Sequence, residues 1–282
     1  MYKIGLSTTG SKETKELFES YKSAGVTYAE ISSSKDETDK MDFAQIKKWA
    51  DESGIEIWSL HLPFYPFKEL DISNKELAKS TVEYLSAMIK RASDAGIKRF
   101  IIHASGEPID EADRKERMEC AKNSLFTLAE LASSLGGTIF VEDLPRTCLG
   151  RCASDIKELL SAHSSLRACF DTNHLLNEDN IEFIKEIGSK IGTLHVSDYD
   201  FVNERHWMCG EGKNDWQGIL RELKNVGYDG PWMYEIDPGC PKTILRDRNI
   251  TPTDLVKNAN EVFENKEFTI FSKPKPNLGY WD

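Results

Sequence analysis

Residues 94–104 read Asp-Ala-Gly-Ile-Lys-Arg-Phe-Ile-Ile-His-Ala, and this stretch runs from the end of one predicted helix through one predicted strand. Leu, Met, Ala and Ile recur at three- and four-residue steps over Asn74–Ala95, which predicts an amphipathic helix. Gly96 then provides a helix C-cap, and Ile97–Ala104 predicts a buried strand. A second helical repeat follows over Asp110–Leu135, so the stretch belongs to a repeated βα pattern.

The same pattern occurs along most of the chain. Runs rich in Ile, Val, Phe and Tyr predict eight strands: Tyr2–Ser7, Val26–Ser32, Ile55–Leu62, Ile97–Ala104, Thr138–Asp143, Leu166–Asp171, Ile191–Ser197 and Trp232–Ile236. No Gly-x-Gly-x-x-Gly follows the first strand, as an open doubly wound sheet that binds a dinucleotide would require. Eight strands, each followed by a helix, therefore predict a single α/β domain, a closed (β/α)8 TIM barrel.

The end of the chain differs in character from the barrel. Pro274 and Pro276 exclude a further helix there, and aromatic residues are frequent. We therefore predict a barrel over residues 1–264 and a short C-terminal extension over residues 265–282. The extension is expected to pack on its own barrel or on a neighbouring subunit, which would make the protein a homo-oligomer.

The composition excludes several classes of partner. Lys and Arg number 36 against 47 Asp and Glu, a net charge of -11, and this excess repels nucleic acid and anionic membranes. No run of 18 apolar residues occurs, and the first residues do not form a secretion signal. The six cysteines include no Cys-x-x-Cys pair. We expect a cytoplasmic protein with reduced thiols that binds neither nucleic acid nor a membrane.

Ionisable residues collect where the predicted strands end, which is where a βα barrel has its active site. At the strand ends lie Glu30, His61, His103, Glu142, Asp171, His174, His195, Asp198 and Glu235. Arg205 and His206 lie in the loop after the seventh strand. The chain has six histidines, and only His163 falls in a predicted helix. Such a concentration at one rim of the barrel indicates a functional site.

Four of these residues predict a metal site. Glu142, Asp171, His195 and Glu235 come from the ends of four consecutive strands, so their side chains should lie around one side of the barrel mouth. An unpaired carboxylate is costly beside an apolar barrel, and the adjoining strands offer almost no Lys or Arg. One divalent cation would satisfy all four residues together. Three oxygen donors and one nitrogen suit Mn²⁺, Mg²⁺ or Co²⁺, and Zn²⁺ is also compatible.

The order of the polar residues also resembles a known superfamily. The matching residues are Glu142, Asp171-x-x-His174, His195, Arg205-His206-x-x-x-Gly210-Glu211-Gly212-x-x-Asp215-Trp216, Gly227-Tyr228-Asp229-Gly230 and Glu235. This order is similar to that of the xylose isomerase-like barrels, in particular their sugar phosphate isomerase/epimerase group. The chain departs from many relatives at Cys209, where they carry Pro.

The resemblance implies a role for each matching residue. Glu142, Asp171, His195 and Glu235 would hold one catalytic divalent metal, as their positions had already indicated. In ketose 3-epimerases of the superfamily, the glutamates at the positions of Glu142 and Glu235 move the proton on opposite faces of the substrate carbon, so these two are the expected catalytic residues. The expected substrate-binding residues are His61, His103, His174, Arg205 and His206.

The expected reaction is isomerisation or epimerisation of a small sugar, keto-sugar or cyclitol by proton transfer through a metal-stabilised enediolate. A dehydratase would use the same site. A rival resemblance is to endonuclease IV, a DNA repair nuclease of the same barrel that holds three zinc ions with nine ligands. The corresponding residues here are His61, His103, Glu142, Asp171, His174, His195, Glu204, His206 and Glu235. Glu204 replaces an Asp of that family, and the net charge of -11 disfavours DNA. A non-catalytic sugar-binding protein is the third alternative.

Overall fold

The computed structural model describes residues 1–64, 69–239 and 241–279. It confirms the predicted TIM barrel, because eight parallel strands lie side by side in the order β7-β6-β5-β4-β3-β2-β1-β8. These strands are β1 Ile4–Ser7, β2 Tyr28–Ile31, β3 Glu56–His61, β4 Arg99–Ile102, β5 Thr138–Glu142, β6 Arg167–Asp171, β7 Ile191–His195 and β8 Trp232–Tyr234. The barrel is nearly closed by an isolated bridge between Val196 and Tyr234.

Helices follow the strands, as the alternation predicts. They are α1 Lys15–Ala24, α2 Lys35–Thr38, α3 Phe43–Glu52, α4 Ala78–Asp94, α5 Arg114–Ser134, α6 Ala153–Leu160, α7 Asn180–Ile187, α8 Trp216–Asn225 and α9 Pro252–Phe263. Side-chain caps define several N-termini: Thr14 accepts a hydrogen bond from the Leu17 amide, and Asp215 accepts one from the Gly218 amide. These caps fix where each helix leaves the loop at the strand end.

Alternation along the strands separates two apolar layers. Phe100 and Ile102 on β4 join the large core between strands and helices, together with residues such as Leu125 on α5. Ile101, the residue between them, belongs to a separate buried cluster with Phe140 and Cys169 from β5 and β6. This second cluster faces the barrel interior, and the ionisable residues lie at the strand ends above it.

The described part of the C-terminal extension packs on its own barrel. Strand β10 Ser272–Pro274 pairs antiparallel with β9 Ile244–Arg246. Thr269 donates hydrogen bonds to Glu261 on α9, from its amide at 3.0 Å and from its hydroxyl at 2.7 Å. Residues 280–282, the end of this extension, lie outside the described residues. Within the described ranges, no helix is long and apolar enough to cross a membrane.

Candidate active site

The four predicted metal ligands come together at the barrel mouth. Glu142, Asp171 and His195 end β5, β6 and β7, and Glu235 follows β8. Each offers one ligand atom, and these atoms all lie within 4.8 Å of one another. Asp171 and His195 are direct partners in the register between β6 and β7.

The chemistry of this group fits a divalent cation. The Oδ2 atom of Asp171 is buried and has no hydrogen-bond partner among the described residues, although Nδ1 of His174 lies 3.6 Å away. Burial raises the pKa of the Asp171 carboxyl to about 6, which reflects the cost of a negative charge in this surrounding. A cation among the four residues would remove that cost and bind the oxygen that lacks a hydrogen bond.

Glu142 is the centre of the site. Its Oε1 lies 2.8 Å from Nδ1 of His195, and its Oε2 lies 3.1 Å from Nε2 of both His61 and His103. Burial acts to raise the pKa of Glu142, but His195 and His103 outweigh it and hold this pKa well below the ordinary value. Glu142 is therefore a carboxylate with three imidazole nitrogens within 3.1 Å of its oxygens, and Nδ1 of His174 lies 3.8 Å from Oε1.

A second group of ligand atoms lies beside the first. His174, Glu204 and His206 each offer one atom within 4.8 Å of the others. Nδ1 of His174 donates to the carbonyl oxygen of Asp143 at 2.8 Å, and Nε2 of His174 lies 3.2 Å from Oε2 of Glu204. Nδ1 of His206 donates to the carbonyl of Glu235 at 3.3 Å. Both imidazoles are thereby oriented by backbone carbonyls.

Arg146 organises the loops around this second group, a role that the sequence did not indicate. Its guanidinium donates to Glu107 in the loop after β4, and to Glu204 at 2.9 Å and Asn203 at 2.7 Å in the loop after β7. Arg146 itself follows β5 and has a left-handed backbone, with φ 55°. Three loops are therefore tied together by one side chain. Only the positions of these loops in space reveal the contact.

The predicted substrate-binding residues differ in where their side chains lie. His61, His103 and His174 surround the carboxylates of the site, as described above. The guanidinium of Arg205 is fully buried, with Nε donating to Asp200 at 2.9 Å and Nη2 to the carbonyl of Gly279 at 2.8 Å. Its charge is thus paired with a carboxylate from the same loop.

A comparison with known families assigns the barrel. The family described as xylose isomerase-like TIM barrel matches residues 18–262. The chain belongs to this family. The resemblance that the order of polar residues predicted is thereby confirmed.

Individual relatives within the family are distant. An uncharacterized protein of Methanocaldococcus jannaschii is 28% identical over 182 residues, 61% of this chain and 61% of that protein. The fructoselysine 3-epimerase of Escherichia coli O157:H7 is 26% identical over 119 residues, 40% of this chain and 43% of that enzyme. The chain thus spans less than two thirds of the length of these relatives. A solved D-tagatose 3-epimerase-like protein shares the fold with a TM-score of 0.78 at 21% identity, over 93% of this chain and 97% of that chain.

In this xylose isomerase-like barrel, a cavity of about 960 Å³ opens over the strand ends, which is large enough for a small organic ligand. Glu142 and Glu235 both line it, and Phe64 stacks on His103 in its wall with ring centroids 3.9 Å apart. Hydroxyl groups from the loops after β1 and β2 complete the far wall: Thr9, Ser11, Ser32, Ser33 and Ser34. The wall suits a polar ligand with hydroxyl groups.

Charge in the cavity wall is predominantly negative. The carboxylates are Glu37, Asp71, Glu107, Glu142, Glu204, Glu235 and Asp237. Among the described residues that line the cavity, the Lys and Arg side chains are Lys12, Arg146 and Arg205. Arg146 and Arg205 are paired with carboxylates. Such a wall attracts cations and repels a polyanion.

Proposed function

We propose that this protein is a divalent-metal-dependent sugar isomerase or epimerase that acts on a keto-sugar or cyclitol. The observation that carries the proposal is the meeting of Glu142, Asp171, His195 and Glu235 at the barrel mouth, beside a cavity that Glu142 and Glu235 line, with a buried Asp171 oxygen that has no hydrogen-bond partner among the described residues. The names of two similar proteins, a fructoselysine 3-epimerase and a D-tagatose 3-epimerase-like protein, support the class of reaction. The loop hydroxyls on one side of the cavity support a sugar or polyol substrate.

The two catalytic glutamates would act as proton carriers. Glu142 and Glu235 lie 2.8 and 3.3 Å from the same atom, Nδ1 of His195, and both line the cavity. Burial acts to raise the pKa of Glu235, but the nearby His195 outweighs it, so this carboxyl is ionised and can accept a proton. When bound, a divalent ion would supply the positive charge that stabilises an enediolate.

The fate of the proton decides the product. If one glutamate removes the proton beside the substrate carbonyl and the other returns it on the opposite face, the carbon is epimerised. Return to the neighbouring carbon gives isomerisation, and departure of a β-hydroxyl gives dehydration. All three outcomes use the same two carboxylates.

Proton exchange tests this proposal directly. Protein stripped with a chelator and reloaded with Mn²⁺, Mg²⁺, Co²⁺ or Zn²⁺ is incubated with keto-sugars and keto-inositols in D₂O. We expect deuterium at the carbon next to the carbonyl, followed by NMR, with loaded protein and not with stripped protein. No exchange on any substrate with any of the four ions would refute the assignment.

A trinuclear zinc nuclease is the second candidate, because a specific observation favours it. The residues that resemble those of endonuclease IV form three overlapping or adjacent groups: His61, His103 and Glu142; Glu142, Asp171, His195 and Glu235; His174, Glu204 and His206. Elemental analysis that finds about three zinc ions per chain, together with cleavage of a duplex at an abasic site, would favour this candidate. One ion per chain and proton exchange on a keto-sugar would favour the epimerase.

A further inference from the structure

Glu30 is a buried carboxylate for which the proposed function has no role. It is the third residue of β2 and is completely shielded from solvent inside the barrel. Among the described residues, no Lys or Arg lies within ion-pair distance of it. The hydroxyl of Ser59, its partner in the register between β2 and β3, donates to Oε2 at 2.6 Å. Burying a carboxylate is costly, so the remaining oxygen needs a partner.

That partner is His195. Nε2 of His195 donates to Oε1 of Glu30 at 2.9 Å, and Nδ1 faces Glu142 and Glu235 at 2.8 and 3.3 Å. The ring is fully buried. Because Nε2 donates to Glu30, Nδ1 is the ring nitrogen that faces the carboxylates of the site and is available to a metal ion placed among them.

His195 uses its two ring nitrogens in the opposite way to His61 and His174. His61 and His174 donate from Nδ1 to backbone carbonyls, of Leu62 at 3.0 Å and of Asp143 at 2.8 Å, and present Nε2 to carboxylates. His195 ends β7, where the carbonyls of His195 and Val196 already accept hydrogen bonds from the amides of Thr172 and Glu235. The Nε2–H group of His195 therefore needs a side-chain acceptor.

We propose that Glu30, itself fixed by Ser59, is a positioning residue that holds His195 ready to bind a divalent metal. The inference rests on the proposed function insofar as that function requires the metal. A carboxylate behind an imidazole sets the orientation of the ring and increases its basicity as a ligand. Three strands, β2, β3 and β7, thus contribute to one ligand of the site.

Metal affinity tests the role of Glu30 without any assay of turnover. The variants are Glu30→Gln, which keeps the shape and removes the charge, and Ser59→Ala, which removes the hydrogen bond to Glu30. The control is Glu261→Gln, because Glu261 is also buried and accepts two hydrogen bonds but lies on α9. Mn²⁺ binding is measured by electron paramagnetic resonance of the free ion, and Co²⁺ binding by the visible spectrum.

We expect Glu30→Gln to weaken Mn²⁺ binding by about 10- to 100-fold and to change the Co²⁺ spectrum, because loss of a partner behind a metal ligand has this effect. Ser59→Ala should weaken binding less, and Glu261→Gln should leave it unchanged. Affinity within twofold of wild type and an unchanged spectrum in Glu30→Gln would overturn the inference. Should Glu30→Gln fail to fold, Ser59→Ala decides by the same criteria.

The outcomes separate this inference from the proposed function. A wild-type protein that binds Mn²⁺ but exchanges no proton on any keto-sugar refutes the sugar chemistry, and the affinity comparison still decides the role of Glu30. A wild-type protein that exchanges protons while Glu30→Gln binds Mn²⁺ normally refutes only the positioning role. A wild-type protein that binds no divalent ion refutes both.

Discussion

At the scale of single residues, Glu142 and Glu235 share one cavity but differ in surroundings. Glu142 contacts three imidazoles, whereas Glu235 is partly open to the cavity. We predict that Glu142→Gln and Glu235→Gln each reduce proton exchange by about 10²–10⁴-fold, because a glutamine cannot carry the proton. Circular dichroism should show a retained fold.

His163→Ala is the control, since His163 contacts Glu130 at 2.6 Å on the helical side. Normal exchange in both glutamine variants would contradict the assignment.

Asp254 gives a prediction for the pH dependence of stability. It closes a capping box with Thr251 at the start of α9 and pairs with Arg248, which holds the pKa of its carboxyl below the ordinary 3.8. A lowered pKa stabilises the fold at pH values above 3.8, and this contribution is lost as the pH falls through the folded value. We expect Asp254→Asn to cost roughly 1 kcal/mol at pH 7.

Urea unfolding of wild type and Asp254→Asn at a series of pH values measures this effect. The difference in free energy of unfolding should be constant from pH 7 to about pH 5 and shrink below pH 4. A difference that is the same at pH 3 and pH 7 would contradict the ionic origin of the effect.

The sequence predicts some residues of the site better than others. Glu142, Asp171, His195 and Glu235 could be placed because each lies at or just after the end of a strand, and parallel strands in a barrel end at the same rim. The pairing of Glu30 with His195 spans strands β2 and β7, so it requires the geometry of the whole barrel. The contacts of Arg146 depend on the conformation of three loops, which no strand or helix pattern encodes.

At the scale of elements, Gly210 in the loop after β7 allows Phe268 of the C-terminal extension to pack closely against that loop. Gly210 has φ +88°, and an added Cβ would lie 2.3 Å from Cδ2 of Phe268. Gly25 has φ +93° but no neighbour within 4 Å of such a Cβ. We predict that Gly25→Ala costs about 1 kcal/mol from backbone strain alone, and that Gly210→Ala costs more because Phe268 must also move.

Urea denaturation and limited proteolysis check this comparison. Gly210→Ala should lose more stability than Gly25→Ala and should be cleaved faster after α9, because the extension packs less well. Equal stability losses and equal cleavage rates in the two variants would show that Phe268 does not pack against the loop.

The sequence predicts which helices and strands are present more accurately than it predicts the residues at which they begin and end. The predicted helix Asn74–Ala95 begins at Ala78 in the structure, because Oδ1 of Asn74 accepts a hydrogen bond from the Glu76 amide and forms a turn. The pairing of β9 with β10 was not predicted, because Ile244–Arg246 is too short to give a period. Whether the extension also joins two subunits stays a prediction.

At the scale of the whole molecule, charge distinguishes the two candidate functions. The net charge is -11, and three bound divalent ions would supply only six positive charges. A nuclease must approach the DNA phosphates, and the described cavity wall pairs Arg146 and Arg205 with its own carboxylates. The net charge and the described cavity wall therefore disfavour DNA, which generally binds to a basic surface.

Salt dependence turns this argument into a prediction. A protein that neutralises phosphates binds DNA more tightly as salt decreases, because it releases counterions. An acidic surface does the reverse, since lower salt screens the repulsion less. We therefore expect fluorescence anisotropy with a labelled abasic duplex, in the presence of Zn²⁺, to detect no binding at about 150 mM salt and no gain at about 20 mM, a range over which the Debye length grows from about 8 Å to roughly 20 Å. Affinity that rises steeply at low salt would instead support the nuclease, because repulsion between like charges cannot produce that slope.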